Sequence, residues 1–144
     1  MKQQLIPKET VKQRMELLTA GPVWGHLGIR LVHAENGESE VHLPVKKEFT
    51  QLHGNVHGGI LATVLDASMA AAVNSLLPEQ EFTVTTEMKV NYLSPATGQL
   101  LIAKARVIKR GRSLSLCQAE LMDDQGKMLC YATATFFIFE KKEA

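Results

Sequence analysis

Residues 58–78, GGILATVLDASMAAAVNSLLP, are almost without charge, and the one ionisable side chain among them belongs to Asp66. A helix that is apolar on every side cannot lie on a surface, so we expect a sheet to curve around it and a second subunit to cover any face left bare. Removing a carboxylate from water costs several kcal/mol unless it is paired or hydrogen-bonded. Asp66 is therefore a candidate for chemistry, and a carboxylate held by hydroxyl groups in the core is the alternative.

The length of this stretch also raises the question of a membrane span, for which about 20 apolar residues suffice. A central Asp costs about 2.5 to 3.5 kcal/mol on insertion, and the surrounding Ala, Thr and Ser residues offset little of that cost. We therefore expect a helix that is enclosed by protein and no membrane partner.

Composition limits the class of protein. With 144 residues, of which 45% are hydrophobic and 22% charged, the chain is predicted to form one domain over 1–144, with residues 1–22 as an N-terminal helical segment. A net charge of +1 provides no field for binding nucleic acid. The N-terminus lacks the apolar run of a secretory signal, so we expect a cytoplasmic protein. Cys117 and Cys130 lack the spacing of a metal or redox site and are predicted to be buried free thiols.

Turn signals divide the rest of the chain into a short helix and six strands. The helix follows Pro7 and is predicted to end at Gly21-Pro22, with one apolar stripe formed by Val11, Met15 and Leu18. Asn36-Gly37 between two extended runs within 28–45 predicts a hairpin. Four more strands are predicted at 83–93, 100–108, 114–121 and 128–139. The first of these alternates, which predicts that one face is buried by Val84, Met88, Val90 and Tyr92.

The start of the long helix, His57-Gly58-Gly59, has backbone amides that could bind an anion. The first amides of a helix have no internal partners and lie at the positive end of its dipole. Two glycines cost helix stability relative to alanine, which access of a substrate to the backbone would explain. A tight turn is the alternative explanation for the glycines.

Asp66 lies too far from this helix start to share one small reacting group with it. At 1.5 Å rise per residue, the two are about 12 Å apart along the helix. If two copies pack their helices antiparallel about a two-fold axis, Asp66 of one approaches the Gly58 amide of the other. The spacing therefore predicts two composite sites in a homodimer.

A basic segment at residues 104–112 contains no acid and includes Lys104, Arg106, Lys109, Arg110 and Arg112. A solvated hairpin tip is the simple interpretation. The glycine-containing turn also suits phosphate, because arginine provides forked donors and turn amides add more. Coenzyme A would fit such a site, with its phosphates held by Arg110, Gly111, Arg112 and Ser113.

Three segments together resemble the hotdog-fold acyl-CoA thioesterases, specifically the phenylacetate-pathway (PaaI-like) branch. They are HGGILATVLDASMAAAVNS at 57–75, TTEMKVNYLSPA at 85–96 and RVIKRGRSL at 106–114, in the order and approximate spacing of that family. The resemblance implies an α+β hotdog fold, in which a six-stranded antiparallel sheet wraps around one long central helix. It also implies a homodimer, commonly paired into a dimer of dimers.

By position, the resemblance implies roles for the residues of the helix start and the helix. Asp66 would act on water as a general base or attack the thioester as a nucleophile, two alternatives that the sequence leaves open. The Gly58 amide of the partner chain would polarise the thioester carbonyl. His57 would assist at the carbonyl or at the departing thiolate.

Two further roles carry alternatives. Thr85 would hold the water beside Asp66, with Thr86 in its place if the strand register shifts by one. Gln51 stands where the branch usually has Asn and would keep the role of that amide, with Asn55 as a weaker competitor.

The expected reaction is hydrolysis of an acyl-CoA thioester to the free acid and coenzyme A, with no metal or cofactor. A hotdog module that binds acyl-CoA without catalysis is one alternative. A 3-hydroxyacyl-thioester dehydratase is another, but the chain has neither the Gly-His-Phe-Pro loop nor the closely spaced Asp and His of such enzymes. The identity of the acyl group does not follow from the sequence.

Overall fold

Six strands and three α-helices make up residues 5–141, the part of the chain that this computed structural model describes. The helices are α1 (Lys8–Thr19), α2 (Pro22–Leu27) and α3 (Gly58–Asn74), and a 3-10 turn covers Lys47–Phe49. The strands are β1 (Arg30–Glu35), β2 (Glu38–Pro44), β3 (Glu81–Tyr92), β4 (Leu100–Arg110), β5 (Leu114–Asp123) and β6 (Met128–Glu140).

The strands form one antiparallel sheet in the order β1-β2-β4-β5-β6-β3. The meander from β4 to β6 is continuous, whereas β3 follows α3 and adds at the far edge beside β6. The predicted α+β hotdog fold, with six strands around one long helix, is confirmed.

The predicted hairpin at Asn36-Gly37 is also confirmed. Both residues have positive φ, 51° and 80°, as a two-residue type I′ turn requires. The Gly37 amide donates to Ser75 Oγ at 2.8 Å, and a Cβ on Gly37 would lie 3.1 Å from Leu76 Cδ1. The hairpin tip therefore packs against the end of α3 at a position where a side chain would not fit without movement.

The sheet curves around α3, which contacts all six strands. Buried side chains of the helix, among them Val64, Leu65, Met69 and Val73, pack against the inner face of the sheet. One side of the helix stays partly exposed, and its residues are Gly59, Ala62, Thr63, Asp66 and Ala70. We call this side the open stripe.

The open stripe is a face that a single chain leaves bare, as the sequence analysis allowed. It corrects the expectation of a buried acid, because Asp66 is partly exposed rather than buried in the core. The reason is geometric, because the sheet covers most of the helix surface and Asp66 lies on the side that it leaves bare.

The prediction of which β3 face is buried is wrong for the first half of the strand. A β-bulge between Thr85 and Glu87 shifts the alternation, so Thr85 pairs with the buried Phe136, while Val84 is 50% exposed. Met88 and Val90 keep the predicted inward orientation and are half-buried. The bulge therefore brings the Thr85 side chain to the helix side of the sheet.

The N-terminal segment contains a second helix that the sequence analysis missed. Gly21-Pro22 was expected to end the helical segment, but Pro22 occupies the first position of α2, where its missing N–H costs nothing. The helix buries Trp24 and ends at Leu27, where it is capped by Gly28, whose φ is 83°. A proline after a helix is thus compatible with an immediate restart.

Arg14 of α1 is buried and ties this helix to the end of α3. Its guanidinium donates to Asn74 Oδ1 at 3.2 Å and to the carbonyl oxygens of Pro78 and Glu79 at 2.6 and 3.1 Å. Burial lowers the pKa of Arg14, and the nearby carboxylates of Glu81 and Glu79 oppose that shift. The contacts hold together segments that are 60 to 65 residues apart in sequence.

Cys117 and Cys130 are free and buried, as predicted. Burial raises the pKa of Cys117 to about 12 and that of Cys130 to about 11. Both thiols therefore remain protonated at neutral pH. Within residues 5–141, no helix has the length and hydropathy needed to cross a membrane.

We predict that Arg14→Ala lowers the free energy of unfolding by about 2 to 4 kcal/mol, because it leaves three acceptors without their donor. The exposed Arg30 provides the matched control, and Arg30→Ala is expected to change stability by less than about 0.5 kcal/mol. Urea denaturation of the three proteins measures both values. An equal change in the two variants would show that the Arg14 contacts do not stabilise the fold.

Candidate active site

Backbone hydrogen bonds fix the start of α3. The His57 amide donates to Phe49 O at 2.7 Å, and the Val56 amide donates to Ala96 O at 2.9 Å. The loop before the helix is therefore attached both to the 3-10 turn and to the segment that follows β3.

The His57 side chain caps the helix. Its Nδ1 accepts the Gly59 N–H at 2.9 Å, as an N-cap Asn or Asp oxygen does in most helices. An Nδ1 that accepts a hydrogen bond belongs to the neutral ring with its proton on Nε2. Because the ring is exposed, its Nε2–H can donate to a substrate.

Gly58 presents an unused donor at the same place. No group within residues 5–141 accepts its amide N–H. Its carbonyl oxygen accepts a hydrogen bond from the Tyr92 hydroxyl at 3.1 Å, and a Cβ on Gly58 would lie 3.4 Å from the Tyr92 ring. The alternation along β3 predicts that Tyr92 lies on a buried strand face, but the residue is 54% exposed beside the helix start.

Asp66 and Thr85 form the second half of the site. The Thr85 hydroxyl donates to Asp66 Oδ1 at 2.8 Å. The Thr86 hydroxyl donates instead to Thr135 O, on the neighbouring strand. The β3 bulge therefore places Thr85, rather than Thr86, against the carboxylate and leaves Oδ2 without a protein donor within the described residues.

The two halves of the site lie apart on one chain. Asp66 is eight residues after Gly58 on α3, which corresponds to about 12 Å along the helix axis. Both lie on parts of the helix that the sheet does not cover. One chain therefore does not bring its own acid to its own unused amide.

Gln51 lies in the loop before the helix. Its side-chain oxygen accepts the His53 amide, and its backbone amide donates to Asn55 O at 2.8 Å. These bonds close the loop around Gly54, whose φ is 84°. The Gln51 Nε2 group remains as a donor close in sequence to the helix start.

The basic turn between β4 and β5 is partly occupied by its own contacts. Arg110 forms an ion pair with Glu81 and donates to Gly111 O at 2.6 Å, and the Gly111 amide donates to Leu114 O at 2.8 Å. The Arg110 guanidinium and the Gly111 amide therefore maintain the shape of the turn. Arg112 and Ser113 are exposed, and so is the neighbouring Lys109.

Comparison with known proteins identifies the family to which these features correspond. The sequence profile of the thioesterase superfamily matches residues 53–130. The human protein named acyl-coenzyme A thioesterase 13 is 31% identical over 110 residues, which cover 74% of this chain and 77% of that protein.

Solved structures agree with that match. A thioesterase family protein from Silicibacter pomeroyi superposes with a TM-score of 0.87 and 33% identity, over 91% of this chain and 99% of that one. The PaaI protein of the phenylacetic acid degradation operon of E. coli shares the fold, with a TM-score of 0.85 and 20% identity over 93% of this chain and 96% of that one. The resemblance to hotdog-fold thioesterases is confirmed, and the likeness to PaaI is one of fold.

Proposed function

The chain belongs to the thioesterase superfamily and is a thioester hydrolase, and on that premise we propose that it hydrolyses acyl-CoA thioesters to the free carboxylic acid and coenzyme A. The observation that carries the proposal is the pairing of Asp66 with the Thr85 hydroxyl on the open stripe, on the same helix as an unused Gly58 amide. The name of the human relative supports coenzyme A as the thiol component.

The active form in this proposal is a homodimer, with a dimer of dimers as the larger assembly. Small residues of the open stripe, such as Gly59, Ala62 and Ala70, allow a second helix to approach closely. In an antiparallel pair, each Asp66 faces the Gly58 amide of the other chain. Two equal sites result, and each contains groups from both chains.

The proposed reaction uses Asp66 as the proton acceptor. With Oδ1 held by Thr85, Oδ2 is free to take a proton from water, whose oxygen attacks the thioester carbonyl carbon. The Gly58 N–H of the partner chain stabilises the oxyanion. The C–S bond then breaks, and Asp66 returns the proton to the departing thiolate, which also accepts a hydrogen bond from His57 Nε2–H.

The same free oxygen also suits direct attack by Asp66, which would form a mixed anhydride that water then hydrolyses. We favour the base because the Thr85 hydroxyl lies beside the carboxylate, where it can also position a water molecule. Gln51 contributes its side-chain NH₂ group near the carbonyl in either case.

The proposed site for the phosphates of coenzyme A is the basic turn. Arg112 and Ser113 supply exposed donors, while Arg110 and Gly111 hold the turn in shape through their internal contacts. An exposed arginine adds charge-assisted hydrogen bonds to phosphate.

We predict that Asp66→Asn lowers kcat for acyl-CoA hydrolysis by at least about 100-fold, because the amide does not accept the proton of water. Thr85→Val keeps the shape of the side chain, removes the hydroxyl and is expected to lower kcat about 5- to 10-fold. Thr86→Val is the matched control and should retain wild-type kcat. Thiol release is measured with a panel of acyl-CoAs, and activity that survives Asp66→Asn would remove the proposed mechanism.

A second prediction tests the composite site through Gly58→Pro. Proline suits the first position of a helix, and the φ of −59° and ψ of 136° at His57 suit a residue that precedes proline. The change removes the N–H and should lower kcat by about 100- to 1000-fold, whereas Gly58→Ala retains the N–H.

Refolding Gly58→Pro together with Asp66→Asn should then restore activity. Random pairing makes half of the dimers mixed, and each mixed dimer has one intact site, so about a quarter of wild-type activity is expected. If the mixture stays as inactive as the separate variants, Asp66 and Gly58 do not act across two chains.

We further predict that Arg112→Ala raises KM for acyl-CoA about 3- to 10-fold without changing kcat, because phosphate contacts stabilise substrate and transition state equally. An acyl-pantetheine substrate, which lacks the nucleotide, should show the same KM with both proteins. Equal effects on the two substrates would place the role of Arg112 away from the phosphates.

A further inference from the structure

Side chains hold both polar groups of the peptide bond that joins Gly58 to Gly59. The N–H of this peptide, which belongs to Gly59, donates to His57 Nδ1 at 2.9 Å. Its carbonyl oxygen, which belongs to Gly58, accepts from the Tyr92 hydroxyl at 3.1 Å. The two contacts fix the orientation of the peptide plane from opposite ends.

Such a restraint matters at this position because both residues are glycines. Glycine has more backbone freedom than any other residue, and the ends of helices fray readily. The Gly58 N–H belongs to the preceding peptide, whose carbonyl oxygen, that of His57, accepts two backbone amides of the first turn at 3.0 and 3.2 Å. The two peptides meet at the Gly58 Cα, so the side-chain contacts on one and the helix bonds on the other together fix the direction of the Gly58 N–H. The two side chains supply the rigidity that a Cβ would otherwise provide.

Tyr92 is the member of this pair that comes from another element. It is the last residue of β3, the edge strand, so its hydroxyl connects the start of α3 to the sheet. Its ring lies close enough to Gly58 that an added Cβ would meet it at 3.4 to 3.6 Å. The side chain is 54% exposed, and within residues 5–141 the Gly58 carbonyl oxygen is the one hydrogen-bond partner of its hydroxyl.

We propose that Tyr92 is a positioning residue for hydrolysis, which anchors the carbonyl side of Gly58 and so keeps the Gly58 N–H, on the adjoining peptide, directed at the thioester carbonyl. This inference rests on the proposed function and adds to it a residue that acts through Gly58. A donor aimed at the oxyanion stabilises the transition state more than the bound substrate, so its misalignment lowers kcat and leaves KM unchanged.

The test is Tyr92→Phe, which removes one oxygen and keeps the ring. We expect kcat to fall about 5- to 10-fold, with KM and the thermal midpoint unchanged. Exchange of the Gly59 amide proton, followed by NMR, should become faster by a similar factor because the first turn opens more often. Tyr131→Phe is the matched control, since the Tyr131 hydroxyl bonds to the Gln118 side chain on the outer face of the sheet, and it should alter neither quantity.

Three results would overturn the proposal. An unchanged kcat, or an unchanged Gly59 exchange rate, would show that the hydroxyl does not restrain the peptide. A higher KM with normal kcat would show that Tyr92 binds substrate directly. Failure of the proposed function is seen separately, as wild-type protein that hydrolyses no acyl-CoA, whereas failure of this inference alone leaves the wild type active and Tyr92→Phe equal to it.

Discussion

The burial of one uncharged helix is the constraint on which the rest of the chain depends. Each large apolar side chain of α3 gains about 1.5 to 3 kcal/mol when the sheet removes it from water, so the sheet curves to reach as many as it can. An ionised Asp66 on that side would cost several kcal/mol. The helix therefore adopts the rotation that places its one acid on the open stripe, among small residues. The position of the carboxylate is thus a consequence of how the core packs, and the same packing leaves it accessible to substrate and to a second chain.

At the start of the helix, side chains satisfy some backbone groups and leave one amide donor free. Helix N-termini leave amides without internal partners, and proteins usually satisfy those that are not open to water. Here the His57 ring satisfies the Gly59 amide, and the Tyr92 hydroxyl adds a bond to the Gly58 carbonyl. The Gly58 amide between them has no partner within residues 5–141. A donor held in place yet left unused is suited to bind an oxyanion, since it needs no reorganisation during the reaction.

The elements that the sequence predicts well are those specified by neighbouring residues. Asn36-Gly37 determines a hairpin through backbone conformations of its own, and the long helix follows from a continuous apolar run. The errors arise where distant pairing decides. The β3 bulge at Thr85 depends on the pairing register with β6, and no local sequence pattern indicates it. Pro22 illustrates a different ambiguity, because the same residue can follow one helix and begin the next.

The same distinction between neighbouring and distant residues applies to the candidate site. The relative positions of His57, Gly58 and Asp66 could be predicted, because His57 caps the helix that carries the other two and helix rise fixes their separation. The hydrogen bond of Tyr92 to Gly58 and the ion pair of Arg110 with Glu81 could not be predicted, because each joins two different elements of the fold.

Helix spacing also constrains the proposed dimer. Helix rise fixes the distance between acid and amide within each chain, so the width of each composite site depends on the interhelical distance, commonly about 8 to 10 Å. The small residues of the open stripe determine how close the helices come, and the space available for a thioester is then a property of the pair of chains.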